Sequence, residues 1–141
     1  MALMLVFGLG PELYGLDVTD IQEIVERPVL HYIPRTPAQM LGAINFHGSI
    51  IPVLDLGLQL GFPPETTAPR VVVLPPQLCA LALAVRSIRR IVAVDGDSLI
   101  PVDPERQADS FIRAVCHYGD DVVNILDLPR LLTALKKQTK S

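Results

Sequence analysis

Histidine and cysteine are the side chains of this 141-residue chain best suited to nucleophilic, acid–base or metal chemistry. The chain has three histidines and two cysteines. Cys116 and His117 are neighbours on a predicted strand, so their side chains point to opposite faces and cannot share a metal ion. His31, His47 and Cys79 lie far apart in the sequence, and no Cys-x-x-Cys, His-x-His or Glu-x-x-His spacing occurs. The sequence therefore predicts no metal site and no paired nucleophile and base.

The remaining chemical candidates are a pair of glycines and several aspartates. Gly8 and Gly10 lack the third glycine and the following helix of a dinucleotide-binding loop, and Pro11 has no amide to donate. Two aspartate pairs fall in predicted turns, where a carboxylate accepts local backbone hydrogen bonds: Asp95 with Asp97, and Asp120 with Asp121. Neither arrangement supports catalysis, so the sequence predicts a protein that is not an enzyme and holds no cofactor.

The composition excludes several classes of partner. A formal charge of −3 and a pI near 5.5 give no electrostatic attraction for nucleic acid or an anionic membrane. The apolar N-terminal run lacks a basic leader region, and no apolar run is long enough to span a bilayer. Cysteines in separate apolar runs are typical of reduced thiols in the cytosol. We therefore expect a cytoplasmic protein with no nucleic-acid partner and no direct membrane insertion.

The segment Gly42–Leu56 is the most informative part of the chain. It reads as two apolar strands about a tight glycine turn, followed by an aspartate that can cap a helix. Ile44 alternates with Asn45 and His47, so one face of the first strand enters a core and the other exposes the two polar residues. For Asn45, a hydrogen bond that closes the turn and a docking role both remain open. For His47, a plain exposed turn residue and a docking role are likewise both open.

The sequence also repeats itself. Leu54-Asp55-Leu56 recurs 72 positions later, and the apolar pattern of residues 16–25 recurs 67 positions later in residues 83–92. Two recurrences in the same order indicate an internal duplication, with approximate halves 1–64 and 70–135 inside one domain spanning residues 1–141. Short apolar runs separated by frequent turns then predict a mainly β fold. We expect two similar barrel-like subdomains, with short helices and a C-terminal helix.

Apolar spacing predicts a short helical turn in each half, over residues 17–25 and 86–91. Because both halves place such a turn where they should meet, Ile21, Val85 and Ile88 are candidates to line a groove between them. The alternative for each is a plain core residue. Residues 101–110 are polar and broken by proline, so they predict a mobile loop.

This pattern resembles the CheW chemotaxis coupling protein family over nearly the whole chain. The likeness is carried by Phe7-Gly8-Leu9-Gly10, Tyr14-Gly15-Leu16-Asp17-Val18, Ile21-Gln22-Glu23-Ile24, Ile33-Pro34-Arg35-Thr36-Pro37 and the Gly42–Leu56 segment. The resemblance implies two five-stranded SH3-like barrels with a hydrophobic core between them, and a scaffold without catalysis. It also implies two partners, the cytoplasmic tip of a methyl-accepting chemoreceptor and the regulatory domain of a CheA-type histidine kinase, and hence recruitment to membrane receptor arrays.

The resemblance further implies which residues bind these partners. The family's acidic residue after the Tyr-Gly motif falls on Glu23, its glycine before the hairpin on Gly42, and its asparagine before the turn on Asn45. The alternative for Glu23 is an ordinary solvated carboxylate paired with Arg27 four residues on.

One position departs from the family pattern. The family usually has an arginine that serves in docking where this chain has His47. An arginine offers five donors and a permanent charge, whereas a neutral histidine offers one donor. We therefore expect a weaker or different partner contact, in a pathway such as pilus motility or surface sensing.

Two other classes of function stay open at this point. A small-ligand sensor or accessory module could use the cleft between the barrels, and it predicts a deep pocket with convergent polar groups. An obligate self-assembling structural protein predicts a stable oligomer in the absence of other partners.

Overall fold

A computed structural model describes residues 1–64, 69–103, 105 and 110–139 of the chain. Within these residues the strands are β1 (Ala2–Leu9), β2 (Glu12–Asp17), β3 (Glu23–Val25), β4 (Met40–Phe46), β5 (Ser49–Asp55), β6 (Arg70–Val73), β7 (Ala82–Val85), β8 (Ser87–Val94), β9 (Ile100–Pro101), β10 (Ile112–Tyr118) and β11 (Asp121–Leu126). The helices are α1 (Leu56–Gln59) and α2 (Leu128–Thr139), with short 3-10 turns at Val18–Asp20 and Gly96–Ser98.

The strands form two sheets. Sheet A has the order β8-β1-β2-β11-β10-β9, and sheet B has the order β3-β6-β7-β5-β4. The predicted fold class, mainly β with two SH3-like subdomains, short helices and a C-terminal helix, is therefore confirmed, although each sheet is open rather than a closed barrel. The two-residue strand β9 is an addition to the five strands expected in sheet A.

Each sheet contains strands from both halves of the sequence. The hairpin β1–β2 joins β8, β10 and β11 in sheet A, whereas β6–β7 joins β3, β4 and β5 in sheet B. The pairing registers correspond at the shifts of 67 and 72 found in the sequence. For the antiparallel pairs, Met4 opposite Val92 in sheet A corresponds to Val71 opposite Val25 in sheet B. For the parallel pairs, Ile125 beside Gly15 in sheet A corresponds to Val53 beside Ala82 in sheet B. The division into two halves stays a prediction, and this correspondence supports it.

Alternation along the strands explains three apolar cores. In β1, Leu5 and Phe7 face a central core between the sheets, while Met4 and Val6 face a smaller core inside sheet A. Strand β6 divides its side chains in the same way, between the central core and a core inside sheet B. Both strands are thus buried on both faces, which explains their continuous apolar sequences.

The predicted helical turns at residues 17–25 and 86–91 are wrong. The first is a 3-10 turn followed by β3, and the second lies within β8, apart from its first residue. Strand β3 pairs with β6, and β8 pairs with β1. Because the two buried strands need these partners for their backbone groups, sheet pairing overrides the helical spacing. Half of the loop predicted for residues 101–110, residues 104 and 106–109, lies outside the described residues.

A nearly buried ion pair connects the sheets. Arg86 Nη2 lies 3.3 Å from Asp55 Oδ1, and the two side chains are only 10% and 11% exposed. The Arg86 backbone amide donates to the carbonyl oxygen of Gly8 in sheet A, while Asp55 ends β5 in sheet B. The Asp55 carboxylate also accepts from the Leu58 amide and so caps α1, as predicted.

We predict that Arg86→Met lowers the free energy of unfolding by about 3 kcal/mol, because it leaves a buried carboxylate without its cation. Adding Asp55→Asn should recover part of the loss, since an amide removes the charge and still caps the helix. Unfolding in urea measures both variants. The control is Arg70→Met, which breaks an exposed pair with Glu26 and should cost no more than about 1 kcal/mol. Equal losses for Arg86→Met and Arg70→Met would contradict the prediction.

Candidate partner-binding surfaces

The two edges of sheet B meet. Strands β3 and β4 are at opposite ends of its strand order, yet Glu23 Oε1 of β3 lies 3.7 Å from His47 Nε2 in the turn after β4. The segment after β3 also reaches β4, since His31 and Ala43 exchange backbone hydrogen bonds of 2.8 Å in both directions. The sheet therefore curls until its edges touch, and this brings together residues distant in the sequence.

The turn between β4 and β5 has two residues, His47 with φ 49° and Gly48 with φ 85°. Two successive positive φ values are typical of the type I′ turn of tight hairpins. The Gly48 amide donates to Asn45 Oδ1 at 3.1 Å, so the hydrogen bond expected to close the turn is present. The His47 ring lies edge-on to Phe46, with 4.3 Å between ring centroids. These contacts fix the direction in which the imidazole points.

We call Glu23, Asn45 and His47 the turn-end cluster. The side chains of His47 and Glu23 are 74% and 49% exposed, and Asn45 is exposed beside them. The expected pairing of Glu23 with Arg27 is replaced by the contact with His47, because Glu23 begins a strand and not a helix. An exposed pair of this kind contributes little stability, so its groups are available to exchange partners on binding. The cluster offers a carboxylate, an amide and an imidazole to a polar surface.

Gly42 lies apart from this cluster and is buried. Its φ of 142° is rarely adopted by other residues, and a Cβ atom would run into the backbone oxygen of His31. The glycine therefore allows the segment after β3 to lie against β4. Its effect on binding would be through the position of the hairpin and not through direct contact.

The three residues predicted to line a groove, Ile21, Val85 and Ile88, differ in burial. Val85 is 1% exposed and belongs to the central core, so its side chain is not available to a partner, as the alternative of a plain core residue predicts. Ile21 and Ile88 are half-buried and pack against the edge of the same core. The predicted groove depends on helical turns that do not form, which explains why Val85 lies inside the central core.

Sequence reasoning missed two exposed residues beside Ile88. Leu3 is 53% and Ile91 is 57% exposed. Ile91 lies opposite Leu5, and Ile88 lies opposite Phe7, so both isoleucines are on the face of sheet A that carries Leu5 and Phe7. Leu3 is on that face as well, because it lies two residues before Leu5 in β1. We call Leu3, Ile88 and Ile91 the apolar strip. Strict alternation would place Ile88 and Ile91 on opposite faces because they are three residues apart, and only the β-bulge between them brings both to the same face.

A groove on sheet B is also apolar. It has a volume of about 360 Å³ and is bounded by β4, β5, α2 and the loop before β7. Its lining includes Met40, Leu54, Leu81, Leu132 and Leu135. The polar side chains among its lining residues are those of Thr36, Gln39 and Lys136.

These features define a small β interaction domain. Among the described residues, no three His, Cys, Asp or Glu side chains are grouped to hold a metal ion. In that same part of the chain, no helix is both long and apolar enough to cross a membrane. The chemistry offered is that of exposed polar and apolar surfaces on a rigid core.

The chain belongs to the CheW-like domain family, whose sequence model matches residues 3–136. It is 25% identical over 140 residues to the probable chemotaxis protein CheW of Rhizobium etli, covering 96% of this chain and 90% of that one. It is 26% identical over 143 residues to the chemotaxis protein CheW of Treponema pallidum, covering 96% and 84%. Its fold is similar to the crystal structure of the scaffolding protein TtCheW from Thermoanaerobacter tengcongensis, with a TM-score of 0.80, 30% identity and coverage of 88% and 87%. The resemblance seen in the sequence is thereby confirmed, and the chain is a CheW-type scaffold of chemotaxis signalling.

We predict that Gly42→Ala lowers the free energy of unfolding by about 3 kcal/mol, because backbone strain and a backbone clash add together. Gly48→Ala is the matched control. Its φ is also positive, but no atom lies within 4 Å of the added Cβ, so strain alone should cost about 1–2 kcal/mol. Urea unfolding of both variants measures the difference. A loss in Gly42→Ala no larger than in Gly48→Ala would show that His31 moves aside freely.

Proposed function

We propose that this chain couples the cytoplasmic tip of a methyl-accepting chemoreceptor to the regulatory domain of a CheA-type histidine kinase, without catalysis of its own. Its relatives are described as chemotaxis and scaffolding proteins, which supports the proposal. The observation that carries it is the presence of two separate exposed surfaces of different chemistry on one core. The turn-end cluster belongs to sheet B and the apolar strip to sheet A.

The apolar strip is the surface we assign to the receptor. Ile88 and Ile91 are separated by the extra residue of a β-bulge and lie on the same face as Leu3. A receptor tip is helical, and an amphipathic helix binds through apolar anchors three or four residues apart. Half-buried Ile21 extends the apolar edge of the same central core and stays a candidate contact.

The turn-end cluster is the surface we assign to the kinase. Its side chains are polar and exposed, and they lie at one end of a curled sheet. A regulatory domain of like fold can meet this end through polar side chains. Because His47 stands where the family usually has arginine, we further propose a different partner contact, in a pathway such as pilus motility or surface sensing. The site of action would be the cytoplasmic side of a receptor array.

The alternative of a small-ligand sensor that uses the cleft between the two subdomains stays open, and the groove beside α2 does not support it. Such a site needs convergent polar groups inside a pocket, whereas the groove beside α2 is lined almost wholly by apolar side chains.

We predict that Ile91→Asp weakens binding to receptor signalling fragments by at least about tenfold, because it places a charge in an apolar contact. Co-sedimentation with the receptor fragments measures the change, and thermal unfolding should be unaltered because the residue is exposed. The matched control is Ile50→Asp, a 68% exposed isoleucine on sheet B, which should leave receptor binding intact. Normal receptor binding by Ile91→Asp would remove the strip from the receptor site.

We predict that His47→Arg changes affinity for the CheA-type regulatory domain by about tenfold and makes it more sensitive to salt, because arginine adds donors and a permanent charge. Titration calorimetry at two salt concentrations measures both effects. His117→Arg is the control, since this histidine is also exposed but lies on β10 of sheet A. If His47→Arg alters binding to no kinase or receptor, the turn does not contribute to partner choice.

A further inference from the structure

A small depression lies beside the turn between β10 and β11, on the face of β8 opposite the apolar strip. It has a volume of about 150 Å³, and its floor is formed by apolar side chains of the core inside sheet A or packed against that core: Val6, Leu13 and Val123. Side chains with polar groups complete its lining: Arg89, Arg90, Tyr118 and Asp121. Polar groups that converge around an apolar floor are typical of ligand sites. Neither of the two surfaces proposed above includes any of these residues.

The β-bulge of β8 brings both arginines to this depression. Val6 lies opposite Arg90 and Phe7 lies opposite Ile88, so Arg89 is the extra residue of the bulge. Consecutive residues of a regular strand point to opposite faces, whereas Arg89 and Arg90 line the same depression. The bulge therefore redirects one arginine, and both side chains border the same small volume.

Both arginines contact neighbouring groups but form no ion pair with them. Arg89 Nε lies close to Gly8, 3.8 Å from the position that a Cβ atom would take there. The Arg90 guanidinium lies 5.7 Å from the centre of the Tyr118 ring, a distance at which a cation is attracted to an aromatic face. None of the ion pairs within the described residues involves Arg89, Arg90 or Asp121. Two exposed guanidinium groups are therefore available to an anion.

Asp121 limits the charge that this anion can carry. Two guanidinium groups and one carboxylate leave one net positive charge around the depression. A single negative charge is matched by this arrangement, whereas the second charge of a phosphate would be repelled by Asp121. A carboxylate also accepts two parallel hydrogen bonds from an arginine. Since the floor is apolar, it favours a carboxylate that carries methylene groups.

We propose that this depression is a binding site for an aliphatic carboxylate, supplied by a glutamate side chain of a partner protein or by a free small organic acid. The carboxylate bridges Arg89 and Arg90, and the methylene groups cover Val6 and Val123. This site goes beyond the proposed function, because it is separate from the apolar strip on β8 and lies on a different sheet from the turn-end cluster.

The test titrates the whole chain with butyrate, acetate, butyramide and phosphate at constant ionic strength. The methyl NMR signals of Val6 and Val123 report occupancy of the depression, because both residues form its floor. Two peptides blocked at both ends, with a central glutamate or glutamine between alanines, distinguish a side chain of a protein from a free acid.

We expect butyrate to bind at least about tenfold more tightly than butyramide, because hydrogen bonds to an ionised group are stronger than neutral ones. Butyrate should also bind several times more tightly than acetate, since its additional methylene groups are buried on the floor. Phosphate should bind more weakly than butyrate. The glutamine peptide should not bind.

Three variants locate the binding. Arg90→Gln should weaken butyrate binding at least about tenfold, and the control Arg113→Gln, an exposed arginine of β10 outside the depression, should leave it unchanged. Asp121→Asn should strengthen phosphate binding more than butyrate binding, since it removes the repelling charge.

Equal binding of butyrate and butyramide, or of the two peptides, would overturn the proposal. Tighter binding of phosphate than of butyrate, or an unchanged affinity in Arg90→Gln, would overturn it as well. Tighter binding of the glutamate peptide than of butyrate supports the proposal and assigns the site to a partner protein. Binding of butyrate without binding of the glutamate peptide supports it and assigns the site to a free acid.

Discussion

The apolar core between the two sheets is the constraint on which the rest of this molecule depends. Each sheet takes a hairpin from one half of the sequence and its remaining strands from the other, so neither sheet is complete by itself. The side chains of β1 and β6 that enter this central core are almost fully buried. Because removing any of these strands would expose both the central core and one of the smaller cores, the two sheets are expected to unfold together.

The Asp55–Arg86 pair adds specificity to this apolar contact. Arg86 is held by its amide to β1 and by its guanidinium to the end of β5, so it sets how the two sheets lie against each other. Gly57 allows this arrangement, because a Cβ atom there would lie 2.6 Å from the guanidinium. An ion pair this buried contributes little net stability compared with apolar packing, but an arrangement that breaks it is costly. It therefore disfavours alternative packings more than it stabilises the observed one.

Local patterns predicted most of the strands, and nonlocal pairing explains the failures. The hairpin β4–β5, its asparagine-closed turn and the aspartate cap of α1 all depend on residues close in sequence, and these predictions agree with the structure. The helical spacing of apolar residues predicts helical turns in the segments that contain β3 and β8, and only pairing with β6 and β1 makes these segments strands. The contact between Glu23 and His47 could not be predicted either, since it needs the whole sheet to curl.

Side-chain contacts between the two ends of each open sheet limit how this scaffold can be recognised. In sheet B the edge strands meet at Glu23 and His47. In sheet A the Arg90 guanidinium of the edge strand β8 lies 5.7 Å from the centre of the Tyr118 ring of β10, the strand next to the short edge strand β9. Arg90 follows Glu23 by 67 positions, whereas Tyr118 follows Phe46, the neighbour of His47, by 72, so the two contacts lie close to corresponding positions without coinciding. Edges that face each other offer little free backbone for an added strand. Partners are then recognised by side chains at the ends of the sheets and on their exposed faces. Because the turn-end cluster lies on one sheet and the apolar strip on the other, the arrangement is suited to holding two partners at once.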